Sequence, residues 1–137
     1  MIRLAQEADV YEILPHIREQ EAKTIARLGI DPAALVRKAL GPFAYTGLAD
    51  GRVACMWGIV FDIPLGNFPR LWLLTTPLVE GHRIEFLRES KRFVQWARAE
   101  FGTIEGCVDC DNIVSRRWLE WLDFRAVESY AGYIRMR

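Results

Sequence analysis

Val10, Ile13, Leu14 and Ile17 follow one another at the spacing of a single helical face. Asp9 stands just ahead of them with Glu12 three residues on, a capping-box-like arrangement that would start the helix at Asp9. Pro15 has no N–H to give, so a kink or break is expected there. A second, polar helix is predicted over Glu19–Leu28, with Gly29 as its stop. Asp31-Pro32 reads as N-cap and first residue of a third helix, ending near Leu40 before Gly41-Pro42. Ile2–Leu4, ahead of all three, fits a short strand.

The pattern changes after Pro42. Phe43–Ala49 is strand-like, Asp50-Gly51 is a strong hairpin signal, and Arg52–Ile63 is the returning strand, with Val53, Cys55, Trp57, Ile59 and Phe61 alternating. A loop over Pro64–Pro69 carries Gly66 and Asn67. Leu71–Thr75 is almost wholly apolar, as a strand buried on both faces would be. From Arg83 to Phe101 the period becomes helical, with Ile84, Leu87, Val94, Ala97 and Phe101 as a core stripe and Gly102 as the stop. Thr103–Asp109 (strand), Asn112–Leu122 (helix), Arg125–Tyr130 (strand) and Tyr133–Met136 (strand) complete the chain. The order, helices then an antiparallel hairpin then strand–helix–strand–helix–strand, predicts an α/β (α+β) fold on a mixed sheet.

The length of 137 residues suits a single domain over residues 1–137, and a hydrophobic fraction of 51% rules against disorder. Lys plus Arg and Asp plus Glu number 18 each, so no basic excess argues for nucleic acid. The three cysteines are an odd count and make no disulfide framework, which favours a reducing, cytoplasmic setting. No apolar run approaches the roughly 20 residues of a spanning helix, and no secretory leader is expected.

Within this frame the candidate chemistry is thin. Cys107 and Cys110 lack a second ligand pair, and an offset of three on a strand puts their thiols on opposite faces, so both are read as structural and no metal is expected. His16 reads as a surface side chain and His82 as a site candidate. Asp109, Asp111 and Asn112 cluster at a strand end, where Asp111 or Asn112 would cap the next helix. Asp109 and Glu80 are candidate bases. Arg116-Arg117 could meet phosphate but fits a solvated face. Trp118 and Trp121 are three apart on a short helix, so one of them would face outward.

The segment Asp111–Phe124 resembles the "N-x-x-A-…-G-F" signature of the GNAT (Gcn5-related N-acetyltransferase) fold, and the element order is similar along almost the whole chain. Counting from Asn112, the family places a small residue three on, Tyr seven on, Gly eleven on and Phe twelve on; this chain has Ser115, Leu119, Asp123 and Phe124. The resemblance implies a sheet of about six or seven strands, mostly antiparallel, whose fourth and fifth strands splay apart. It implies acetyl-CoA as cofactor, with pantetheine along Leu74, Thr75 and Thr76 and past Asn112, and pyrophosphate near Gly81, His82 and Arg83. Two departures matter. Leu119 replaces the Tyr that serves many members as general acid, leaving Asn112, Ser115 and Tyr130 as the catalytic candidates, with Tyr133 beside Tyr130. Thr75–Arg83 carries one glycine where the family has Q/R-x-x-G-x-G/A, and Thr76-Pro77 reads equally as an N-cap pair.

Trp72–Thr76, His82, Phe86–Arg92 and the run from Val108 to Phe124, with the Asp9, Arg18 and Glu21 region and the Gly29-Ile30-Asp31-Pro32 segment after it, further resemble the small phage internal virion protein A family. That likeness implies a phage or prophage protein in a bacterial host, free in the cytoplasm or virion-associated. Two functions follow: an acetyl-CoA-dependent N-acyltransferase with a degenerate cofactor loop and an unknown amine acceptor, or a catalytically inactive structural protein that binds virion or host proteins.

Overall fold

Residues 1–27, 29–61 and 68–137 are described by the structure, a computed structural model. The expected strand end at Ile63, the loop residues Pro64, Gly66 and Asn67, and the helix end at Leu28 lie outside the described residues. Seven strands form one mixed sheet in the order β1-β2-β3-β4-β5-β7-β6. They are β1 (Ile2–Leu4), β2 (Ala44–Ala49), β3 (Arg52–Val60), β4 (Arg70–Thr75), β5 (Glu105–Asp109), β6 (Ala126–Tyr130) and β7 (Tyr133–Met136), accompanied by α1 (Glu7–Ile13), α2 (Glu19–Arg27), α3 (Pro32–Ala39), α4 (Arg83–Phe101) and α5 (Ile113–Trp121). β4 and β5 run parallel, paired at Arg70 with Glu105 and Leu71 with Gly106. Both strands continue past the last pair, which is consistent with the expected splay. The chain divides into two compact units, Met1–Val60 with Trp72–Arg83, and Phe61–Leu71 with Ile84–Arg137.

In the first unit β1, β2 and β3 are antiparallel neighbours. Asp50 and Gly51 turn the β2–β3 hairpin with φ of 54° and 75°, the left-handed pair that such a turn needs. Val10 and Ile13 of α1, Ile25 of α2, Val36 of α3, Val53 and Met56 of β3 and Leu74 of β4 form the core. Along β3 the burial runs without a break from Val53 to Met56, so both faces of that strand are covered, beyond the alternating set. Asp31 caps α3 as expected, accepting from the Ala34 N–H at 3.1 Å. Pro15 sits in a 3-10 turn, Leu14–His16, that ends α1.

The start of α1 corrects the expectation for Asp9. The helix begins at Glu7 with Gln6 as N-cap, and Asp9 lies inside its first turn, accepting the Gln6 N–H at 2.8 Å. The Asp9 carboxylate is buried and binds both Arg3 Nη1 (2.7 Å) and Nη2 (2.8 Å). A carboxylate three residues into a helix is the other half of a capping box, taking the N-cap N–H, so the pattern is shifted by one turn.

In the second unit β5 pairs antiparallel with β7, and β7 with β6. The last hairpin turns at Ala131 and Gly132, both at positive φ. Ile104, Val108, Phe124, Ile134 and Met136 are buried there. Phe86 of α4 stacks on Trp118 of α5 with ring centroids 6.0 Å apart. Within the predicted α4 stripe Val94 and Ala97 are buried, but Ile84 is 82% exposed. Periodicity reports which side of a helix a residue shares, not whether packing reaches its first turn.

Candidate functional site

β4 ends in Leu74 and Thr75, and Thr76 follows; all three are buried. Successive residues of a strand present their backbone groups to opposite edges. Thr76 turns toward β3: its N–H (3.0 Å) and its hydroxyl (2.9 Å) both donate to the Ala54 carbonyl. Thr75 turns to the other edge. Its N–H donates to both carboxylate oxygens of Glu21, at 2.9 and 3.2 Å, and its hydroxyl to Glu21 Oε1 at 2.8 Å. The Thr75 carbonyl accepts the Arg18 N–H at 3.1 Å. Burial pushes the Glu21 carboxyl above its ordinary value, and the Thr75 hydrogen bonds and the Arg18 charge offset this only in part. Beyond its place in the virion-family resemblance Glu21 carries no sequence signal: it is one of two glutamates in the first turn of a polar helix, where a dipole partner is the ordinary reading.

Downstream, Pro77–His82 is a 3-10 turn that runs into α4, with Arg83 already in helical backbone. Thr76 caps this run, its hydroxyl oxygen accepting the Leu78 N–H at 3.3 Å, and Val79 N–H donates to the Thr76 carbonyl. The 3-10 turn starts at Pro77, and Gly81, His82 and Arg83 stand where it passes into α4. Gly81 is exposed, with nothing within 4 Å of where a Cβ would stand, and Arg83 is exposed. His82 Nε2 lies 3.7 Å from Asp50 Oδ2, and the candidate base Glu80 lies 3.5 Å from Arg18 Nη2. A cleft of about 480 Å³ in this unit is lined in part by Glu12, His16, Arg52 and Thr76, so His16 borders a concavity rather than a plain surface. Glu12 is held there by the Val53 N–H at 2.6 Å.

In the second unit Asn112 caps α5: its Oδ1 accepts the Ser115 N–H at 3.1 Å. Asn112 and Ser115 are thus brought together, and Asn112 fulfils its structural reading. Asp109 is buried and accepts the Asp111 N–H at 3.2 Å. Tyr130 stands 71% exposed beside the β6–β7 turn. Leu119, at the position of the family's Tyr, is buried, with both methyls 3.4 Å from where a Cβ of Gly106 would stand. Asp123 takes φ of 68°, the left-handed conformation that glycine supplies in the family pattern. Trp121 is the outward one of its pair, with Lys91 Nζ 5.7 Å from its ring centre. Arg116 is paired with Glu120 at 3.1 Å. Cys107 and Cys110 are free and exposed, and among the described residues no three His, Cys, Asp or Glu side chains could hold a metal ion.

Sequence reasoning also missed Glu105, which is 2% exposed on β5. Arg135 holds it at 3.0 Å through Nε and through Nη2, and Arg137 at 3.2 Å. Burial pushes this carboxyl up, and the two guanidinium groups outweigh burial and leave it below the usual range.

No family model and no curated protein matches this chain. Solved structures do. Ribosomal-protein-alanine N-acetyltransferase from Brucella melitensis superposes with a TM-score of 0.68 at 15% identity, over 99% of this chain and 97% of that one. A GNAT family acetyltransferase from Streptococcus agalactiae gives 0.65 at 15% identity, over 99% and 92%. YncA from Salmonella typhimurium, solved with its cofactor acetyl-CoA, gives 0.66 at 17% identity, over 99% and 91%. At such identities the likeness is one of fold. With its seven-stranded mixed sheet, parallel β4–β5 pair and flanking helices, this chain has the GNAT acetyltransferase fold.

Proposed function

We propose that this protein is an acyl-CoA-dependent N-acyltransferase of GNAT type, with acetyl-CoA as cofactor and an amine as acceptor. The observation that carries the reading is the superposition on acetyltransferases from end to end, one of them with acetyl-CoA bound. The residues put forward for the cofactor are Leu74 and Thr75 on β4, Thr76, Gly81, His82 and Arg83 after it, and Asn112 on the α5 cap. The Thr75 and Thr76 N–H groups are both engaged within the chain, with Glu21 and with the Ala54 carbonyl. Asn112, Ser115 and Tyr130 are the polar groups put forward for proton handling. Calorimetry with acetyl-CoA tests the reading. Saturable heat supports it, and none at millimolar acetyl-CoA from this protein or from a Glu21→Ala variant defeats it.

One observation favours a second reading, a GNAT-fold protein without chemistry. Leu119 can donate no proton, and it is packed in the core rather than presented to a substrate. Its narrower form is a phage or prophage protein of the virion or the host cytoplasm, supported by the resemblance of the Trp72–Thr76 and Val108–Phe124 segments. Copurification with virion proteins, and no acyl transfer to a panel of amines and peptide N-termini, would favour it. Robust transfer by the unmodified protein would end it.

A further inference from the structure

The odd-numbered residues of β4 face one edge. At its start this edge carries ordinary sheet pairing: the Pro69 carbonyl accepts the Glu105 N–H at 2.8 Å. Thr75 presents its N–H and carbonyl to the same edge, six residues on and beyond the last ladder pair. Among the described residues no strand is hydrogen-bonded to Thr75 at this edge. Its partners are the Arg18 backbone and the Glu21 side chain. Thr76, one residue further, is fastened to β3 through both its N–H and its hydroxyl. One edge of the strand end is therefore closed by sheet, the other by a side chain.

We infer that Glu21 is a displaceable latch, whose carboxylate occupies the Thr75 N–H and hydroxyl that an amide or acyl carbonyl oxygen of acyl-CoA takes on binding. This rests on the acyl-CoA reading above. Three observations separate a latch from a permanent brace. The occupant is a side chain, which can leave by changing rotamers while the strand stays paired to β3. It extends from α2, a helix that among its described residues buries only Ile25. And burial disfavours the ionised carboxyl where it sits, so the exchange of this charged acceptor for a neutral carbonyl returns a charge to water. A ligand that must first expel an internal competitor binds with an affinity reduced by the fraction of open molecules.

Titration of acetyl-CoA into the parent protein, Glu21→Ala and Glu21→Gln tests the latch. Glu21→Ala should bind about tenfold more tightly than the parent, the scale of losing one charge-assisted competitor. Glu21→Gln, which keeps the shape and a weaker acceptor, should fall between them and serves if the alanine variant folds poorly. Variants that bind no more tightly than a parent that does bind would overturn the latch and leave the acyl-CoA reading standing. Binding by the variants alone would support both. No binding by any of the three at millimolar acetyl-CoA would overturn both.

Discussion

Four donors converge on the Asp9 carboxylate: two from Arg3, the Gln6 N–H and the Thr46 hydroxyl at 2.9 Å. The Arg3 hydrogen bonds hold this carboxyl below its ordinary value despite its burial. A depressed carboxyl contributes stability above its unfolded value, near 3.8, and that contribution is lost as pH falls through the lower folded value. Asp9→Asn should therefore cost about 2–3 kcal/mol at pH 7 and much less near pH 2, measured by urea unfolding at both. Sequence placed Asp9 at a helix start but not Arg3 and Thr46 around it: Thr46 lies 37 positions away, and Arg3, only six away, reaches Asp9 from a strand and not along the helix. Asp123 was legible for the opposite reason: a left-handed helix end is decided by its own backbone. Leu119 shows why residue identity decides chemistry where spacing alone does not. A Tyr there would have to fit where two methyls already meet Gly106, so Leu119→Tyr should lose about 1–3 kcal/mol of stability and gain no turnover, checked by thermal melts and acetyl-CoA consumption.

At the scale of elements, period and punctuation served well wherever the determinant was local. Asp50-Gly51, Asp31-Pro32 and Gly102 each mark a boundary that the backbone keeps, and the α4 span agrees at both ends. What failed was the reach of packing, as Ile84 shows. Strand β3 holds a further hidden constraint. A Cβ on Gly58 would stand 2.5 Å from the Phe43 carbonyl oxygen and 3.0 Å from Ala44 Cα, both backbone atoms. Gly58→Ala should thus force β2 and β3 apart and lower stability by about 1–3 kcal/mol, read as a fall in the urea midpoint at unchanged slope. The β5–β7 pair carries its own acid sensitivity. Glu105 lies below its ordinary value of 4.5, so its contribution is present above that pH and lost as pH falls through the lower folded value. Nothing in the alternation of β5 marked it, since an inward glutamate reads as an outward one until its arginines are placed.

Across the whole molecule, the order of elements along the chain was enough to name the sheet class, because few architectures accept helices, a hairpin and a strand–helix–strand–helix–strand run. The insertion of β7 between β5 and β6 was not legible, since a hairpin's sequence does not say on which side its second strand returns. The site was less legible still: Glu21, the residue that engages Thr75, sits 54 positions away from it. A molecule-wide observable joins these points. A ligand that binds only the folded chain stabilises it by RT ln(1 + [L]/Kd), about 2.7 kcal/mol at a hundredfold excess over Kd. For a chain of this size that is a rise of several degrees in Tm. Acetyl-CoA should therefore raise Tm in a concentration-dependent way, while free acetate at the same concentration should not. Arg83→Ala should reduce the rise if Arg83 meets the pyrophosphate, by about 1–3 kcal/mol of binding, the scale of one charge-assisted contact. An Arg83→Ala variant with the parent's full shift would remove Arg83 from the site.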